Sequence, residues 1–131
     1  MGDFFAKGNK PINGYGSPSP DYSTTEHKTG KKWIDGNDIW EKTVDFGALP
    51  NATSKAVSSG ISNLNMLVDM RGIAKHATAS HVYLIVPYVA KGGTDSVAMY
   101  FNGGNIIMNT TANMATDYTK SWVTLQYTKT E

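Results

Sequence analysis

The sequence predicts an all-β fold, an antiparallel β-sandwich or jelly-roll of about eight strands with an extended N-terminal arm. From residue 31 onward, apolar and polar residues alternate over short segments, turn-forming residues separate these segments, and no segment has a convincing helical period. The length of 131 residues suits one ordinary domain. We place the arm at residues 1–26 and the β-sandwich domain at residues 27–131.

The first predicted element of the domain is a hairpin over residues 32–46. Apolar and polar residues alternate on both sides of Asp35-Gly36, a dipeptide that suits the positive φ angles of a type I′ turn. The following residues, 47–54, contain a proline and an asparagine, and they predict a loop.

The remaining strands are predicted from weaker but regular alternation. They fall at residues 56–61, 65–73, 81–89, 96–101, 105–109 and 121–130. In the second of these, Met66 and Met70 are expected on the same face. Gly103 and Gly104 predict a second hairpin between two neighbouring strands. A helix over residues 54–67 is the one competing interpretation, and its glycine and its many Ser and Asn residues weaken it.

The arm differs in composition from the domain. It holds three of the five prolines together with several Gly, Ser and Asn residues, which disfavour both helix and sheet. A flexible leader and a docking peptide both fit this composition. Ordering a backbone costs about 1–2 kcal/mol per residue, so an ordered arm needs contacts with another subunit, a partner protein or the domain's own surface. We expect Phe4, Phe5 and Tyr15 to anchor it to a partner.

Composition excludes several functional classes. Charged residues make up 18% of the chain and the net charge is +1, so the basic surplus of a nucleic-acid-binding protein is missing. There is no cysteine and no apolar run long enough to cross a membrane, so we expect no disulfide and no membrane insertion. The first residues lack the pattern of a signal peptide, which predicts synthesis in a cytoplasm.

No group of residues predicts catalysis. His76 and His81 are five positions apart, which places them on opposite faces of a strand and makes a poor metal site. Asp35 and Asp38 bracket a turn, where aspartate commonly bonds the local backbone. We therefore expect no enzymatic activity, no cofactor and no metal, although an active site formed between subunits stays open as an alternative.

The chain is rich in aromatic residues, with three Trp and seven Tyr. Most of them fall on predicted strands, where packing in the core or at subunit contacts is favoured over stacking on sugars. This predicts a homo-oligomer, most simply a trimer. Tyr88 and Tyr118 fall beside polar loops instead, and with Lys91 and Asp95 they are the candidate receptor-facing residues.

Several short segments also carry a resemblance to a known family. They are YSTTE at 22–26, GKKWIDG at 30–36, KTVDFGALP at 42–50, the pair Pro87-Tyr88, and VTLQYTKT at 123–130. In order and spacing, over residues 22–131, they resemble the C-terminal β-module of bacteriophage tail-fibre and head-fibre proteins. Trp40 stands where that family usually has tyrosine, and residues 1–21 match no part of it.

The resemblance implies a structural protein of the phage virion. Such a fibre or appendage component would be a homotrimer held by its arm to other virion proteins of the capsid or tail. Its β-domain would face the host cell, where a surface glycan is the candidate receptor. The family implies neither an enzyme nor a cofactor. The alternative, from a different class, is a carbohydrate-binding module of a cell-surface protein.

Overall fold

Residues 22–130, the part of the chain that the computed structural model describes, contain eight β-strands and one short 3-10 helix. The helix spans Lys91–Gly93. The strands are β1 (His27–Lys32), β2 (Asp38–Asp45), β3 (Ser54–Ser58), β4 (Leu64–His76), β5 (Tyr83–Val86), β6 (Val97–Asn102), β7 (Asn105–Thr110) and β8 (Tyr118–Lys129).

These strands form two antiparallel sheets. The larger sheet has the order β1-β2-β8-β4-β5, and the smaller has the order β3-β7-β6. The chain changes sheet between β2 and β3, between β3 and β4, between β5 and β6, and between β7 and β8. This arrangement confirms the predicted all-β class and the number of strands, as a β-sandwich of five and three strands.

The core fills the space between the two sheets. Along β8, Val123, Leu125 and Tyr127 alternate inward and are fully buried, as the period-two pattern predicts. Ile106 and Met108 of β7 meet them from the smaller sheet and are equally buried. Burying each large apolar side chain contributes roughly 1.5–3 kcal/mol, so this cluster is a major source of stability.

The first hairpin forms where the sequence predicts it, but its turn is of a different type. The amide of Gly36 donates to the carbonyl of Trp33 at 2.9 Å, and the amide of Trp33 donates to that of Asn37 at 2.9 Å. Within this turn only Gly36 has a positive φ, of 87°. The turn is therefore type I followed by a glycine bulge, because Asp35 keeps a negative φ and accepts a bond from the Asn37 amide.

The second predicted hairpin joins β6 to β7, and Gly103 and Gly104 both have positive φ. Strand β4 is less regular than the alternation predicts. Its pairing with β8 shifts register between Leu64 and Met66 and again shortly after. The bulges turn Met66 outward, where it is 46% exposed, whereas Met70 packs against the core. The helical alternative for residues 54–67 is excluded, since β3 and the start of β4 occupy it.

The last residues of the predicted arm lie along the larger sheet. The carbonyl of Ser23 accepts a bond of 2.8 Å from the amide of Thr43 in β2. The carboxylate of Glu26 accepts a bond of 2.7 Å from the Tyr127 hydroxyl and is also bonded by the Lys129 ammonium. Residues 22–26 are therefore held against β2 and β8.

Candidate binding face on the five-stranded sheet

The outer face of the five-stranded sheet, meaning the face turned away from the smaller sheet, carries two parallel rows of side chains. Because Val123 and Leu125 point inward, their neighbours on β8 point outward. The pairing registers then align an apolar row of Trp122, Ile73 and Ile85. Beside it they align a polar row of Thr43, Thr124 and Arg71.

The two rows line a groove of about 450 Å³. Its floor is largely apolar, because Ile73 and Ile85 are 41% and 70% exposed and Trp122 is half-buried. The hydroxyls of Thr43 and Thr124 lie 3.0 Å apart in the polar row. Tyr22 stands at the edge of the groove and is 70% exposed. The groove thus presents an apolar surface next to hydroxyl and guanidinium groups.

A second, polar pocket of about 280 Å³ continues from the groove and shares Tyr22 and Arg71 with it. Its other lining residues are His27, Thr29, Lys31, Glu41 and Gln126. They come from β1, β2 and β8, which bring residues a hundred positions apart in the sequence onto one surface.

The anionic group of this pocket is the carboxylate of Glu41, which already accepts a hydrogen bond from within the protein. The Gln126 amide donates to the Glu41 carboxylate at 2.9 Å. His27 Nε2 lies 3.3 Å from the same carboxylate but is not oriented for a hydrogen bond, so this buried nitrogen makes none with the described residues. His27 Nδ1 lies 3.2 Å from the Thr25 carbonyl.

The cationic group shared by the two pockets is held loosely. The Arg71 guanidinium lies 3.7 Å from the Asp69 carboxylate, and both side chains are about half exposed. An exposed pair at this distance contributes little to stability. Arg71 is therefore able to turn toward an anionic group that enters the groove.

Glu26 fixes the leader from the other side of the sheet, because Tyr127, which bonds its carboxylate, points inward. Burial opposes ionisation of its carboxyl, but the bonds from Lys129 and Tyr127 outweigh that effect and lower its pKa below the ordinary value of 4.5. Burial and the bond to Glu26 in turn raise the pKa of the Tyr127 phenol far above its ordinary value. Lys129 also lies over the ring of Trp40, 4.7 Å from its centroid.

The candidate receptor-facing residues lie elsewhere. Tyr88 pairs through its backbone with Val97 at the start of the β5–β6 connection. Lys91 begins the short 3-10 helix of this connection, and Asp95 is exposed with a φ of 58°. Tyr118 is the first residue of β8. Their role as receptor contacts stays a prediction.

Tyr118 is more enclosed than its polar sequence context suggests. Its ring packs edge-to-face on His76, with the centroids 5.3 Å apart. Burial, then the charge of Asp117 and that of Tyr88, raise the pKa of its phenol. The structure therefore brings Tyr88 and Tyr118 near each other. The predicted anchors Phe4, Phe5 and Tyr15 lie outside the described residues.

Sequence reasoning assigned Trp122 to packing and did not single out Arg71. The signal that identifies Trp122 as outward-facing is its alternation, with Thr124 and Gln126, with buried residues along β8. That pattern alone shows which side chains face outward. It does not show which side chains of β2, β4 and β5 lie beside them.

Among residues 22–130, no helix is long and apolar enough to cross a membrane, and no cluster of three or more His, Asp or Glu residues is suited to a metal ion. Comparison with protein-family models, with curated proteins and with solved structures finds no match to this chain.

Proposed function

We propose that this protein is a structural component of a bacteriophage virion, a fibre or appendage subunit without catalytic activity. Residues 1–21 attach it to capsid or tail proteins, and the β-sandwich is displayed toward the host cell. The observation that carries the proposal is the direct contact between the separate sequence segments that resemble the phage fibre module.

Three of those segments contact one another in the fold. Glu26 of the YSTTE segment is bonded by Tyr127 and Lys129 of the VTLQYTKT segment, about a hundred residues later. The KTVDFGALP segment supplies the second half of β2, which pairs with β8, and its Leu49 is buried in the core. These contacts join three of the five quoted segments, which supports treating those three as parts of one module.

The outer face supports a role in adhesion. Tyr83 and Ile85 of the edge strand β5 are exposed together with Ile73 of the adjacent strand β4. These three side chains form an apolar strip along that edge of the five-stranded sheet. A contiguous apolar strip bordered by polar residues is typical of surfaces that bind another molecule. On a virion, this strip faces either the host surface or a neighbouring subunit.

The test is to identify the protein in purified particles of the phage that carries its gene. We expect mass spectrometry to find the wild-type chain in the particles. A chain lacking residues 2–21 should keep the circular dichroism spectrum of a folded β-domain yet be missing from particles, because the anchoring aromatics have been removed. Normal incorporation of the truncated chain contradicts the anchoring role, and absence of the wild-type chain from particles contradicts the proposal.

The second candidate is a carbohydrate-binding module of a cell-surface protein. The groove beside Trp122 favours it, since aromatic and aliphatic side chains next to hydroxyl groups suit a sugar ring. The two functions differ in location. Immunolabelling distinguishes them, because a virion subunit labels released particles and a module of the second kind labels the surface of the cell that makes it.

A further inference from the structure

We propose that the groove on the outer face binds a carboxylated sugar residue, with Arg71 receiving the carboxylate. The inference rests on the proposed function in one respect, namely that the β-domain meets a glycan on a cell surface. It adds the binding site, the chemical class of the sugar and the residue that selects it.

The apolar row matches the less polar face of a pyranose ring. Trp122, Ile73 and Ile85 lie in register on adjacent strands, and the cross-strand spacing of about 5 Å places their side chains side by side. A ring lying on this row removes apolar surface of both partners from water. The groove volume of about 450 Å³ accommodates one or two sugar residues.

The polar row matches the hydroxyl groups at the edge of the same ring. The Thr43 and Thr124 hydroxyls lie 3.0 Å apart, and each can both donate and accept. They stand beside the apolar row, so a ring that packs on Trp122 brings its hydroxyl groups within reach of them. Each hydroxyl of the sugar then replaces a bond to water by a bond to the protein.

The charges favour an acidic sugar over a neutral one. Arg71 is the charged residue that lines the groove, and it holds Asp69 only at 3.7 Å, whereas Glu41 lines the adjoining pocket and not the groove. Lys31 adds a positive charge to the lining of the adjoining pocket, outside the groove itself. The planar guanidinium of arginine matches a carboxylate with two parallel hydrogen bonds, which are stronger than bonds between neutral groups.

The experiment compares two probes that differ only at the acidic group, methyl β-D-glucuronide and methyl β-D-glucoside. Each is titrated into the full-length chain and followed by NMR shifts of backbone amides. We expect the glucuronide to bind about tenfold more tightly than the glucoside, since bonds to a charged group are the stronger ones. The shifting amides should belong to β4 and β8 around Arg71, Ile73 and Trp122.

Two variants on one strand test the assignment. Arg71→Gln should remove the preference for the glucuronide, and Lys75→Gln, two outward positions further along β4, should leave it unchanged. Equal binding of the two probes by the wild type, binding of neither, or an unchanged preference in Arg71→Gln overturns the proposal. If Arg71→Gln fails to fold, the preference of the wild type for the glucuronide and the positions of the shifting amides still test the proposal. Incorporation into virions is measured in a separate experiment. A negative result there contradicts the proposed virion function, whereas a negative NMR titration contradicts only the sugar-binding site.

Discussion

Glu26 is the residue through which the leader and the last strand of the domain hold each other. Its carboxylate accepts bonds from the hydroxyl of Tyr127 and from the ammonium of Lys129, both on β8. Lys129 is also positioned over Trp40 of β2. The Glu26 carboxylate thus joins the leader directly to β8 and, through Lys129, is linked to β2.

We expect Glu26→Gln to lower the free energy of unfolding by about 1.5 kcal/mol at neutral pH, the lower end of the scale of hydrogen bonds to a charged group, because the Glu26 side chain is 29% exposed. Because the folded-state pKa of Glu26 lies below its ordinary value of 4.5, its contribution is present above that value. The contribution is lost as the pH falls through the folded pKa. Urea denaturation of wild type and variant across this range measures the effect.

The control for this measurement is Asp95→Asn, which alters an exposed carboxylate in a loop. It should change stability by less than about 0.5 kcal/mol. If Glu26→Gln and the wild type lose the same stability on acidification, the bonds to Glu26 do not contribute as described.

Gly72 has little room for a side chain beside its neighbours on β5 and β8, the two strands that flank it in the larger sheet. A Cβ at this position would lie 3.2 Å from the Cβ of Val86 and 3.5 Å from a methyl group of Val123. We expect Gly72→Ala to cost about 1–3 kcal/mol through overpacking, measured by chemical denaturation. Lys75→Ala, an exposed change on the same strand, is the matched control and should have little effect.

At the scale of elements, the two hairpins show why some features are predictable. Their turn residues specify a reversal of the chain within a few positions, so local sequence determines where β1 meets β2 and where β6 meets β7. The type of the first turn was predicted wrongly. Asp35-Gly36 is compatible with two turn types, and the hydrogen bond from Gly36 to Trp33 selects the one with a single positive φ.

The first turn offers a test of conformational strain alone. Gly36 has a φ of 87° and no atom lies within 4 Å of where its Cβ would be. We expect Gly36→Ala to cost about 1 kcal/mol, because an L-residue is strained at positive φ. Gly36→Asn should cost less, since asparagine tolerates this region better. Thermal unfolding measures both, and equal losses for the two variants contradict this explanation.

The irregularity of β4 was beyond prediction from the sequence. Its bulges arise where its pairing with β8 shifts, and β8 lies more than fifty residues later. Nothing local to Met66 specifies that its side chain turns outward. Long-range register of this kind also builds the groove, which explains why Trp122 could be placed on a strand face while Arg71 could not be placed beside it.

At the scale of the whole molecule, the exposed apolar residues bear on the predicted homotrimer. Val82 and Val89 flank β5, and Val89 is 79% exposed. We expect light scattering of the full-length chain to give three times the mass of one chain, and Val89→Asp to give a smaller species. A stable wild-type monomer at micromolar concentration contradicts the trimer.

The central position of β8 has a consequence for how the protein is made. Strands β2 and β4 form no ladder with each other, because each pairs with β8. The smaller sheet is complete once β7 has left the ribosome. The larger sheet, by contrast, remains two unjoined hairpins until β8 follows, the last of the eight strands to be translated. Apolar side chains such as Val44 and Ala74 therefore remain exposed to solvent until β8 is translated and pairs with β2 and β4.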